Sequence, residues 1–119
     1  MRFKDNVILR ISPDFYAHLI ELESARGFLL PDAPELVMTS GNDSIHEGPS
    51  RVYDPNKTPP SDSLHYQNRA VDLRSHDLPA EGKAALLDWV RSHLAPSVTM
   101  ILEAGGTQEE HFHLQFYPK

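Results

Sequence analysis

Two clusters of side chains in this chain could do chemistry. The first is Ser63-Leu-His65-Tyr-Gln-Asn-Arg-Ala70-Val-Asp72, where an imidazole and a carboxylate stand seven positions apart. The second is His111-Phe112-His113, close to the last residue given. Cysteine is absent, so any metal site must draw on His, Asp or Glu. A catalytic zinc takes three such ligands and keeps a fourth position open. One imidazole and one carboxylate early, with one or both histidines late, satisfy that count. The expected chemistry is zinc-assisted hydrolysis. The plainer alternatives are an outward-facing Asp72 or one paired with Arg74, and an exposed His111/His113 pair on an edge strand.

Asp72 lies in an otherwise apolar run, Ala70-Val71-Asp72-Leu73. A carboxylate buried there is costly unless it is paired or holds a cation. Strand alternation sets His111 and His113 on one face, with Phe112 and Leu114 on the other. A hydrolytic site also needs a general base. Glu103 closes the apolar run Val98-Thr-Met-Ile-Leu102, and a hairpin would carry it back towards His113. Glu110 is the rival, but alternation turns it away from His111 and His113. Glu109 and Glu110 otherwise read as a solvated charge pair at a turn. His18, His76 and His93 read as surface residues, and Trp89 as a core residue.

These clusters need elements to hold them. Ser12-Pro13-Asp14 combines an N-cap, a proline at the first helical position and an acid at the positive end of the dipole. Phe15, Leu19, Leu22 and Ala25 follow at helical spacing, and Gly27 offers a C-cap. The expected first helix covers about 12–26. Asp77-Leu78-Pro79 opens a second, about 79–94, with Leu86, Val90 and Leu94 on its apolar face. Short strands are expected at 36–39, 69–74, 98–102 and 111–117. Val7-Ile8-Leu9 could be a further strand or an arm docked on a helix. Residues 44–62 are rich in Pro, Asp, Asn, Ser and Gly, and read as a loop bordering the cleft. Together these elements predict one α+β domain over 1–119, a small antiparallel sheet flanked by two main helices.

Composition narrows the function. The chain has 119 residues, enough for one modest core. Its net charge of −6 argues against nucleic acid, which normally demands a basic surface. No apolar run approaches the length of a membrane span. Met1-Arg-Phe-Lys-Asp lacks the apolar core of a secretion signal, so a cytoplasmic location, or export by another route, is expected.

Ser63-x-His65-x-x-Asn68-x-Ala70-x-Asp72 resembles the SxHxxGxAxD motif of the zinc D-Ala-D-Ala peptidases, of the lysostaphin/D-alanyl-D-alanine metallopeptidase superfamily. Glu103 followed by His111-x-His113 resembles that family's glutamate and closing His-x-His. Met38-Thr-Ser40-Gly41 is similar to its first strand and Ser-Gly turn. The likeness runs from about Leu36 to the last residue. It implies the fold shared with the hedgehog amino-terminal domain, with Zn2+ held by His65, Asp72 and His113. Glu103 would be the general base and His111 the oxyanion-stabilising histidine. Ser63 would contact substrate, and Arg51 could substitute for the substrate-binding arginine that relatives often carry at the position of Asp43. Asn68 stands where the motif has glycine, and Asp43 where relatives often carry an arginine. The implied substrate is a peptidoglycan-derived peptide, cut at an amide next to a D-amino acid. A phage-type lytic enzyme and a muropeptide-recycling enzyme both fit. Two other functions compete: a non-catalytic zinc-binding domain of the same fold, and an interaction module using the acidic surface and the 44–62 loop.

Overall fold

The computed structural model describes residues 1–5, 7, 9–41 and 69–117. Its elements run β1 (Arg2–Phe3), α1 (Pro13–Leu29), β2 (Val37–Ser40), β3 (Ala70–Arg74), α2 (Ala80–His93), β4 (Val98–Glu103) and β5 (His111–Phe116). The α+β class holds: the described residues form two helices and one sheet of strand order β1-β2-β3-β5-β4. The sheet is mixed rather than antiparallel, because β1 pairs with β2 in parallel. That pairing rests on Arg2 N–H to the Leu36 carbonyl at 2.8 Å and Lys4 N–H to the Met38 carbonyl at 2.9 Å. A two-residue strand carries no alternation to read. Val7 and Leu9 form no strand and pack against the core as an arm.

Ser12 caps α1 as its type demands, its hydroxyl accepting from the Phe15 N–H at 3.2 Å. The helix runs three residues past its expected end. Gly27 is helical, and the chain leaves at Leu30, whose N–H donates to the Arg26 carbonyl at 2.8 Å. The glycine stop signal loses because tertiary bonds hold the last turn. Arg26 reaches the Ala33 carbonyl at 2.8 Å and Glu23 at 3.2 Å, and Glu23 accepts from the Leu36 N–H.

Both helices lie on one face of the sheet. Phe15, Leu19 and Leu22 of α1 and Leu86 and Val90 of α2 join one core with Met38, Val71, Leu73, Val98, Phe112 and Leu114. Phe15 stacks on Phe116, ring centroids 5.1 Å apart. Trp89 is only half-buried at the core edge and stacks on His93 at 4.8 Å. Phe112 is wholly buried between Leu73 of β3 and Leu102 of β4. Phe112→Ala should therefore cost roughly 3–5 kcal/mol. A urea melt of the purified variant checks this, and a loss under about 1 kcal/mol, as for a surface change, would contradict the packing.

The other face of the same strands carries the polar residues. On β3, β5 and β4 these include Asp72, His111, His113 and Glu103, with Arg74 opposite His111 and Thr99 opposite Gln115. Between Met38 and Ser40 the β2/β3 register shifts, so Ser40 rather than Thr39 stands opposite Asp72. Such a bulge re-aims side chains where it occurs. Among the described residues no helix is long and apolar enough to cross a membrane.

Candidate active site

Register alone brings the site together. Asp72 pairs directly with His113 across β3 and β5, and Glu103 pairs with His111 across β5 and β4. Side chains on one face of adjacent strands lie within reach of one another, directly and diagonally. His113 Nδ1 donates to Asp72 Oδ1 at 3.0 Å and lies 3.3 Å from Glu103 Oε1. His111 Nε2 lies 3.8 Å from Asp72 Oδ1 and 3.9 Å from Glu103 Oε1. Two imidazoles and two carboxylates thus converge. Asp72 and His113 are the sheltered members, at 15% and 12% exposure, while Glu103 is 42% exposed. Arg74 is drawn to Asp77 at 3.8 Å, a weak pairing.

His111 is oriented from behind. Its Nδ1 lies 2.7 Å from the Glu109 carbonyl, which can only accept, so Nδ1 carries the proton. Nε2 is then the atom turned towards the two carboxylates. This use of one ring nitrogen to set the other is common around metal sites.

The turn between β4 and β5 holds Glu103 and His111 in place. Ala104 (φ 53°) and Gly106 (φ 80°) reverse the chain in the left-handed region. Glycine enters it freely, whereas alanine does so at about 1–2 kcal/mol. The Ala104 carbonyl accepts from the Thr107 N–H at 3.1 Å and the Thr107 hydroxyl at 2.7 Å. His76 Nε2 donates to the Gln108 carbonyl at 2.9 Å.

Glu110 departs from expectation. It does face away from His111 and His113, but it is not solvated: it is 7% exposed on the helix side of the sheet. Its Oε2 accepts from Lys83 Nζ and from Ser75 Oγ, each at 2.6 Å, and its Oε1 from the Gly106 N–H at 3.2 Å. The Lys83 bond, then the Ser75 and Gly106 bonds, lower its pKa from 4.5 to about 2 against the opposing effect of burial. A carboxyl depressed on folding contributes stability above its unfolded value, and the contribution fades as pH falls through the folded value. The wild-type melting temperature should therefore fall between about pH 4.5 and pH 2 more steeply than that of Glu110→Gln. Parallel slopes for the two proteins would contradict a charged, paired Glu110.

Of the residues singled out from sequence, Asp72, Glu103, His111 and His113 meet in space. His65, Ser63 and Arg51 lie outside the described residues, as do Asp43, Asn68 and the 44–62 loop. Among the described residues no group of three or more His, Asp or Glu side chains could by itself hold a metal ion. Asp72 and His113 could take two places on one ion if a further ligand came from elsewhere. Tetrahedral zinc with bonds of about 2.0–2.2 Å sets neighbouring ligand atoms roughly 3.3 Å apart. Asp72 Oδ1 and His113 Nδ1, at 3.0 Å, are joined here by a hydrogen bond, and Nδ1 would give up its proton to take a place on the ion.

Fold and site together define an α+β protein whose sheet presents a histidine–carboxylate cluster on the face opposite its helices. A scan of protein-family models and searches of curated proteins and of solved structures each found no match to this chain.

Proposed function

We propose that this chain is a zinc-dependent peptidase that hydrolyses an amide bond in peptidoglycan stem peptides, next to a D-amino acid. The observation that carries the hydrolytic part is the convergence of Asp72, His113, Glu103 and His111 on one face. The substrate class, and the hedgehog-like form of the fold, rest on the resemblance of the motif residues. Asp72 and His113 would hold the zinc, with His65 as third ligand on the strength of its place in the motif. The zinc would supply Lewis-acid activation of water and of the scissile carbonyl.

The remaining groups have distinct tasks. Glu103 is the more exposed carboxylate and is free of the Lys83 network that occupies Glu110. It would accept the proton of the attacking water and return it to the leaving amine. His111, with Nδ1–H tied to the Glu109 carbonyl, would present Nε2 to the developing oxyanion, donating when protonated. The rival, a non-catalytic zinc domain, needs no carboxylate beside the metal. The 3.3 Å approach of Glu103 to His113 favours the peptidase. The test is a muropeptide digest with metal content measured on the same sample. Release of an amino acid or shorter peptide by the zinc-loaded protein supports the proposal. Stoichiometric zinc with no cleavage of any stem peptide would transfer it to the non-catalytic domain.

A further inference from the structure

We infer that Glu110, held by Lys83 and Ser75, is a positioning residue for His111, acting through the backbone between them. The inference concerns the same cluster as the proposed peptidase site, but its observations are independent of zinc. Three elements meet at one carboxylate: Ser75 follows β3, Lys83 belongs to α2, and Gly106 lies in the β4–β5 turn. Each bond involves a charged partner, the class worth about twice a neutral one. Glu110 is thereby fixed on the helix side of the sheet. The residues flanking it do the work on the other side. Glu109 supplies the carbonyl that takes the His111 Nδ1 proton at 2.7 Å, and His111 projects Nε2 towards Asp72 and Glu103.

The coupling is geometric. A carbonyl two residues before a histidine can meet its own ring only if the backbone between them keeps one conformation. Residue 110 is that backbone. Its N–H donates to the Thr107 carbonyl at 3.3 Å, a long bond that would hold it weakly without the side-chain anchors. Among the described residues the side chains of Lys83 and Ser75 bond to Glu110 and form no hydrogen bond or ion pair with Asp72, Glu103, His111 or His113. Their part in it passes through Glu110.

The test uses imidazole 15N–1H spectra of the metal-free full chain, which report which ring nitrogen of His111 carries the proton. Wild-type His111 should show the Nδ1-protonated tautomer. In Glu110→Gln and Lys83→Met the tautomer ratio of His111 should move by about two- to tenfold, the factor an ordinary hydrogen bond is worth. Lys83→Arg, which keeps a cationic donor, should restore the wild-type pattern. Val90→Ala, a core truncation in α2, should lower the melting temperature without changing the ratio. If Glu110→Gln does not fold, Ser75→Ala is read in its place with the same expectation. An unchanged His111 pattern in the folded network variants would overturn the inference. So would an equal change in Val90→Ala, because Glu110 would then be no more than a stabilising contact. A protein that never binds zinc leaves this result standing, and a failed His111 result leaves zinc binding to be judged on its own.

Discussion

Replacing Glu103 by glutamine is expected to lower peptide hydrolysis by about 10²- to 10⁴-fold while zinc content and melting temperature stay close to wild type. The change is nearly isosteric and removes the proton acceptor alone. Glu103 is 42% exposed, so the neutral amide meets water rather than a buried cation. Its contacts with His113, 3.3 Å, and His111, 3.9 Å, are made by a half-exposed carboxylate and add little to stability, and the glutamine oxygen can still accept from His113. His111→Ala should give a smaller loss of turnover with zinc retained, as fits a group that only stabilises the oxyanion. Glu110→Gln is a poor control in this series, because that carboxylate is buried against Lys83 and Ser75 and its loss perturbs the fold. If Glu103→Gln keeps full turnover in an active protein, Glu103 is not the base.

The second large effect is expected at His113. His113→Ala should abolish tight zinc binding and, with it, the stabilisation that zinc gives. A ligand that binds the folded state at 100 times its Kd stabilises by about 2.7 kcal/mol. Added zinc should therefore raise the melting temperature of the wild type and leave that of His113→Ala in place. The comparison matters because His113 also donates to Asp72 at 3.0 Å without any metal. A simple drop in melting temperature would follow from losing that bond alone. The zinc-dependent part isolates ligation. An equal rise in both proteins would remove His113 from the ligand set.

Much of this site was legible in the sequence because strands impose a period of two. That period placed His111 and His113 together, with Phe112 and Leu114 opposite, and the last two are wholly buried. The apolar run ending at Glu103 pointed to the hairpin that returns it to His113. Ser12, Pro13 and Asp14 marked the start of α1 by cap chemistry. What was not legible depends on long-range partners. The parallel β1 contributes only two residues. Gly27 ends no helix, since Arg26 and Glu23 near its end bond to Ala33 and Leu36 beyond it. Glu110 is buried rather than solvated, and the sequence carries a signal of it. It shares the parity of Phe112 and Leu114, and Lys83 lies three residues before Leu86 on the apolar face of α2. An acid and a base of matching parity on two core-facing elements are the trace of a buried pair. The β2 bulge that sets Ser40 against Asp72 leaves no mark in composition or period.

The most direct test of the zinc site is the metal content of the full chain purified without added zinc, set beside His65→Ala and His113→Ala prepared in the same way. The ligand assignment predicts about one zinc per wild-type chain and little in either variant, since a catalytic site has only three protein ligands to lose. No zinc in the wild type after exposure to the metal, or full occupancy in both variants, would contradict it.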